Sequence, residues 1–198
     1  MTSVIRYKKI TVALFFALLA LSPLQADGLK LGSQAPDLIG VNALDGSRIS
    51  LYRIMTKMEF QRDIRGRLRK ENGKYVKKYK KYAAVLNFFS KSCVPCLREI
   101  PAFNAIAEQY RRKPVKFLYL NVDPHLTIGQ IRRLADDYRI RIPILMVNQQ
   151  EVLRKYDADV LPRLVMVDSS RRVHTIFVGF DRDFQKRLTA ALNGLPGF

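Results

Sequence analysis

The 198-residue chain is 48% hydrophobic and 26% charged, with two cysteines, no tryptophan, and 35 Lys+Arg against 17 Asp+Glu for a formal charge of +18. This suits one globular domain with a real core, and excludes a wholly disordered chain and a disulfide-stapled scaffold. The charge admits nucleic acid, an anionic membrane surface or an acidic partner, and the compartment decides among them.

In residues 1–26, Arg6, Lys8 and Lys9 precede an acid-free apolar run from Ile10 to about Leu21, which ends in Ser22-Pro23-Leu24-Gln25-Ala26. This is the layout of a secretory signal peptide cleaved after Ala26. The run is shorter than the ~20 residues that span a bilayer, so an uncleaved membrane tether is the weaker alternative. Export sets nucleic acid aside as a partner.

The remaining chain, 27–198, opens with short apolar stretches around Asp45-Gly46, a hairpin signal. Segment 52–82 then holds twelve bases and three acids, with Asn72-Gly73 as a turn. Leu51, Ile54, Met55 and Met58 suggest one face of a short helix, and Tyr75, Tyr79 and Tyr82 suggest a second. Strands are expected at Ala83–Phe89, Val115–Val122, Ile142–Val147, Arg163–Val167 and Val173–Val178. Helices are expected from about Leu97 to Tyr110, Ile128 to Tyr138, Gln150 to Tyr156 and Asp183 to Leu192. This alternation predicts an α/β fold with a mixed central sheet covered by helices on both faces.

Both cysteines fall in Ser92-Cys93-Val94-Pro95-Cys96, between a strand and a helix. A cysteine at a helix N-terminus meets the positive end of the dipole and unpaired N–H groups, which stabilise the nucleophilic thiolate. Lys91 and Arg98 act in the same direction. Cys93 is thus the expected nucleophile, and Cys96, one turn further in, the resolving thiol. Zinc would need ligands beyond the distant His125 and His174, which read as ordinary surface or core residues. A c-type haem would need histidine where Leu97 stands. No metal and no cofactor are expected.

These features resemble the redoxin branch of the thioredoxin superfamily, in particular the TlpA/ResA-type periplasmic thiol-disulfide oxidoreductases. The resemblance rests on Gly32-Ser-Gln-Ala-Pro-Asp37, Val85-Leu-Asn-Phe-Phe89, the Cys93–Cys96 motif, Leu97-Arg-Glu-Ile-Pro101 and Val160-Leu-Pro162. It covers residues 29–51 and 83–198 and leaves 52–82 as a basic insertion. It implies a thioredoxin-like fold with an N-terminal hairpin, and a periplasmic, monomeric enzyme acting on disulfides of substrate proteins. It further implies a membrane electron donor and reductase activity, with cytochrome c maturation as a context. Pro162 matches the family's cis-proline, which faces the dithiol and frees the backbone of Leu161 for substrate. Glu99 matches an acidic residue able to exchange a proton with Cys96.

The chain departs from the family at Ser92, where tryptophan is usual and where serine is expected to cap the helix. Asn87 stands where many thioredoxins carry a buried aspartate. Two further readings stay open: a disulfide oxidant, and a docking module that uses 52–82 on an anionic membrane surface or an acidic partner.

Overall fold

The computed structural model describes residues 28–196, so the expected signal peptide at 1–26 lies outside the described residues. The centre of the fold is a seven-stranded mixed sheet. Its centre is β7 (Ala83–Phe89), β8 (Val115–Asn121) and β9 (Ile144–Met146), paired in parallel. Antiparallel strands complete both sides: β10 (Arg163–Val167) and β11 (Val173–Val178) beyond β7, and β1 (Ile39–Asn42) and β2 (Arg48–Ser50) beyond β9. At the Asp45-Gly46 turn that joins β1 to β2, Gly46 adopts φ +77°, a conformation only glycine takes without strain.

All seven residues of β7 are buried, because helices cover both faces of the sheet. Val85 and Phe89 point to one side, where they meet Ile100 and Phe103 of α2 (Val94–Gln109). Ile131 and Leu134 of α3 (Ile128–Asp137) and Leu188 and Leu192 of α5 (Phe184–Asn193) complete that layer. Ala84, Leu86 and Phe88 point the other way, onto Val152 and Tyr156 of α4 (Gln149–Tyr156) and onto Leu51 and Met55. The strand and helix expectations downstream of Ala83 agree with these elements to within a few residues. The largest difference is at the first of these helices, α2, which begins three residues earlier, at Val94.

The basic insertion differs from expectation. Helix α1 (Leu51–Ile54) is a single turn, capped by the Ser50 side chain and closed at Met55. The chain then enters β3 (Thr56–Phe60), and Met58, expected on the helix face, is exposed in this strand. No helix carries the three tyrosines. Tyr75 ends β5 (Lys74–Tyr75), Tyr79 lies in β6 (Lys77–Lys81), and Tyr82 is buried after it. Strands β3 and β6 form an antiparallel hairpin that pairs Met58 with Tyr79 and Phe60 with Lys77. Its far end divides into two leaves. One turns at Asp63–Gly66, and the other joins β4 (Lys70–Glu71) to β5 through Asn72-Gly73, both at positive φ as a tight hairpin turn requires.

Phe103 is fully buried and packs on Phe117 and Tyr119, with ring centroids 5.5 and 4.9 Å away. Truncation by Phe103→Ala is expected to cost about 3–5 kcal/mol, read as a lower urea midpoint.

Candidate functional site

The dithiol sits where β7 hands over to α2. Past Phe89 the chain turns through Ser90-Lys91-Ser92, and Asp123, just beyond β8, holds that turn. Its carboxylate accepts hydrogen bonds from Ser90 Oγ at 2.5 Å and from the Lys91 N–H at 2.7 Å. Asp123 was not expected from the sequence, since a lone aspartate after a strand carries no pattern and the contact spans more than thirty residues.

Cys93, rather than Ser92, is the N-cap of α2. Its Sγ accepts from the Cys96 N–H at 3.2 Å, while Ser92 Oγ pairs with Ser90 Oγ at 2.8 Å. The serine is drawn back into the turn by a nearer hydroxyl, which leaves the cap to the residue that follows. Cys93 is half-buried and Cys96 buried, and the two are joined as a disulfide with Cα atoms 5.2 Å apart. The first sulfur is therefore the one that solvent and partners can reach. Lys91 and Arg98 are both exposed.

Glu99, three residues past Cys96, lies on the helix face turned to the sheet and is only 1% exposed. Asn87 of β7 faces it across the core, and its side-chain amide donates to Glu99 Oε1. Removal from water pushes the Glu99 carboxyl from an ordinary 4.5 up to about 8, against the smaller opposing effect of the Asn87 hydrogen bond. The amide that stands in the usual aspartate position thus becomes the polar partner of the helix carboxyl.

Leu161 and Pro162 reach the same end of the sheet. Strand β10 pairs Arg163 with Phe88, which brings Pro162 abreast of Phe89, and the Leu161–Pro162 bond is cis. Neither the N–H nor the C=O of Leu161 has a hydrogen-bond partner among the described residues. The loop leading to it is tied by Asp157, whose carboxylate lies 3.6 Å from the Arg163 guanidinium and accepts from the Leu29 N–H at 2.8 Å. Arg163 opens an apolar strand, the only sequence signal that could have singled out this tie. His125 and His174 contribute nothing here, and among the described residues no group of three His, Cys, Asp or Glu could hold a metal ion.

The profile of the AhpC/TSA family matches residues 62–176. The thiol-disulfide oxidoreductase ResA of Geobacillus kaustophilus is 30% identical over 102 residues, 51% of this chain and 57% of that protein. The chain therefore spans little more than half the length of that relative. ResA of Bacillus anthracis is 22% identical over 151 residues, 76% of this chain and 71% of its own length. Among solved structures, a thiol:disulfide interchange protein of the thioredoxin family from Chlorobium tepidum superposes with a TM-score of 0.58 at 20% identity. It covers 82% of this chain and 98% of its own, a likeness of fold.

The Glu99 shift has a stability consequence. The carboxyl is neutral in the folded protein at pH values where the unfolded chain already ionises, so its contribution is complete below 4.5 and lost as pH rises through about 8. Urea titrations should show wild type weakening relative to Glu99→Gln across that window, whereas parallel curves would place the carboxyl in water.

Proposed function

The chain belongs to the AhpC/TSA family, and on that premise we propose that it is an exported thiol-disulfide oxidoreductase that reduces disulfides in substrate proteins through Cys93 and Cys96. The observation that carries this reading is the asymmetric pair at the start of α2, one sulfur accessible at the helix cap and the other buried a turn behind it.

In the reducing direction, the Cys93 thiolate attacks a substrate disulfide. A mixed disulfide forms, and the departing substrate sulfur takes a proton from solvent. Cys96 then loses its proton and attacks Cys93 Sγ, which expels the second substrate sulfur as a thiolate that takes a proton from solvent, and leaves the Cys93–Cys96 disulfide. Two electrons pass to the substrate, and a membrane-borne dithiol donor restores the pair. Glu99 in its ionised form accepts the Cys96 proton and returns it on re-reduction; a carboxyl that titrates near pH 8 is matched to a thiol. An extended substrate segment hydrogen-bonds the unengaged backbone of Leu161 as an added strand beside Pro162.

An apocytochrome c with its haem-binding cysteines oxidised is the substrate class we assign. The signal-like residues 1–26 support export to the periplasm, and the basic insertion is assigned to docking on an anionic membrane.

A Cys96→Ala variant produced in the native compartment should accumulate mixed disulfides on Cys93, identifiable by mass spectrometry. Capture no greater than with Cys93→Ala would refute the exchange reaction. Thiol trapping of wild type in cells should find the pair mostly reduced, and a mostly oxidised pair would reverse the assigned direction.

A further inference from the structure

The alternation of strands gives the β3/β6 hairpin two unlike faces. On one lie Lys57 opposite Lys80 and Glu59 opposite Lys78. On the other lie Met58 opposite Tyr79 and Phe60 opposite Lys77, with Lys81 at the base. Phe60 stacks edge-on against Tyr75, 5.7 Å between centroids, so the apolar strip continues onto the second leaf. Met58, Phe60, Tyr75 and Tyr79 remain 42–59% exposed, with Lys70 Nζ 4.7 Å from the centroid of the Tyr75 ring.

The apex of the other leaf is more pointed still. Asp63 accepts from the backbone N–H groups of Arg65 and Arg67 at 2.9 Å each, and Gly66 closes the turn at φ +76°. This ordered turn holds the Ile64 side chain wholly in solvent, at 103% relative exposure, with Arg62, Arg65 and Arg67 close by in sequence and all exposed. A scaffolded turn that presents a bare isoleucine has no use within the fold.

The charge is equally unspent. Each of the three acids in the segment is paired inside it: Glu59 with Lys57, Asp63 with Arg67 and Glu71 with Arg69. Lys74, Lys77, Lys78 and Lys81 have no carboxylate partner among the described residues.

We propose that the hairpin is an insertion device for anionic bilayers: Ile64 and the Met58–Phe60–Tyr75–Tyr79 strip enter the interface, the surrounding bases hold lipid phosphates, and the dithiol faces away from the membrane. This rests on the docking role assigned to the insertion and specifies the residues and the orientation. Apolar tips flanked by long basic side chains suit a fluid surface, into which the tip sinks while the bases stay at headgroup level. The hairpin has open hollows, one lined by Met58, Phe60, Arg62 and Leu68, but Ile64, its most exposed apolar residue, lines none of them and projects from a turn instead, which suits a yielding surface better than a rigid partner face.

The orientation follows from the sheet. The hairpin leaves the domain at Tyr82, next to Ala83 at one end of β7, and the dithiol follows the other end, about 20 Å away for seven strand residues. Insertion at the first end turns Cys93 toward the aqueous side.

Because the chain has no tryptophan, Ile64→Trp supplies a single local reporter even if residues 1–26 also touch lipid. On phosphatidylglycerol vesicles its emission should shift to the blue and be quenched by brominated acyl chains. On phosphatidylcholine vesicles, or in high salt, it should do neither. Val94→Trp, beside the dithiol, should stay unquenched. Sedimentation of Ile64→Asp with phosphatidylglycerol vesicles should fall about tenfold, with an unchanged melting temperature.

Equal sedimentation of wild type with both lipids would overturn docking and insertion together, and would be the result for an acidic protein partner. Preferential sedimentation with phosphatidylglycerol, but unshifted emission at position 64, would leave docking standing and overturn insertion. Quenching at position 94 would overturn the orientation.

Discussion

The docking of α2 onto β7 fixes everything at the dithiol end. Phe89 and Phe103 pack from strand and helix around Tyr119, and the buried contact between Asn87 and Glu99 joins the same two elements. A carboxyl in such a place is tolerable because it can remain protonated and because a side-chain amide faces it. The same desolvation that makes it costly as an anion brings its titration near that of a thiol. Structural cost and the proposed proton exchange with Cys96 are two aspects of one burial.

Where the hydrophobic pattern has one interpretation, the sequence led directly to the structure. Ala83–Phe89, Arg163–Val167 and Val173–Val178 are compact apolar runs bounded by turn residues, and each forms the strand expected. The cysteine motif was equally plain, since its chemistry depends on local order along the chain. The tyrosines misled for a definable reason. A spacing of four residues returns a side chain to the same face of a helix and also of a strand, so Tyr75 and Tyr79 fit both. Tyr82, at an odd spacing from Tyr79, leaves the strip and is buried, a clue available only once the strand is recognised.

Other parts of the site were hidden because they depend on distance in sequence. Asp123 looks unremarkable beyond a strand end, and its role comes from a turn more than thirty residues away; Asp157, six residues before its partner Arg163, also reaches back to the Leu29 N–H, 128 residues distant. Ser92 was assigned the helix cap from its residue type, but Ser90 Oγ competes for it, and a cap is decided by which partner is nearer.

The two ends of the insertion meet. The Tyr82 N–H donates to the Met55 carbonyl at 2.9 Å, so the chain leaves the domain and re-enters it at nearly the same point. Such a segment adds little closure entropy beyond its own length and asks no rearrangement of the sheet that carries it. It is in effect a portable graft: the segment could be lengthened, shortened or exchanged at this one seam, and the proposed docking altered, without disturbing the sheet that carries the dithiol.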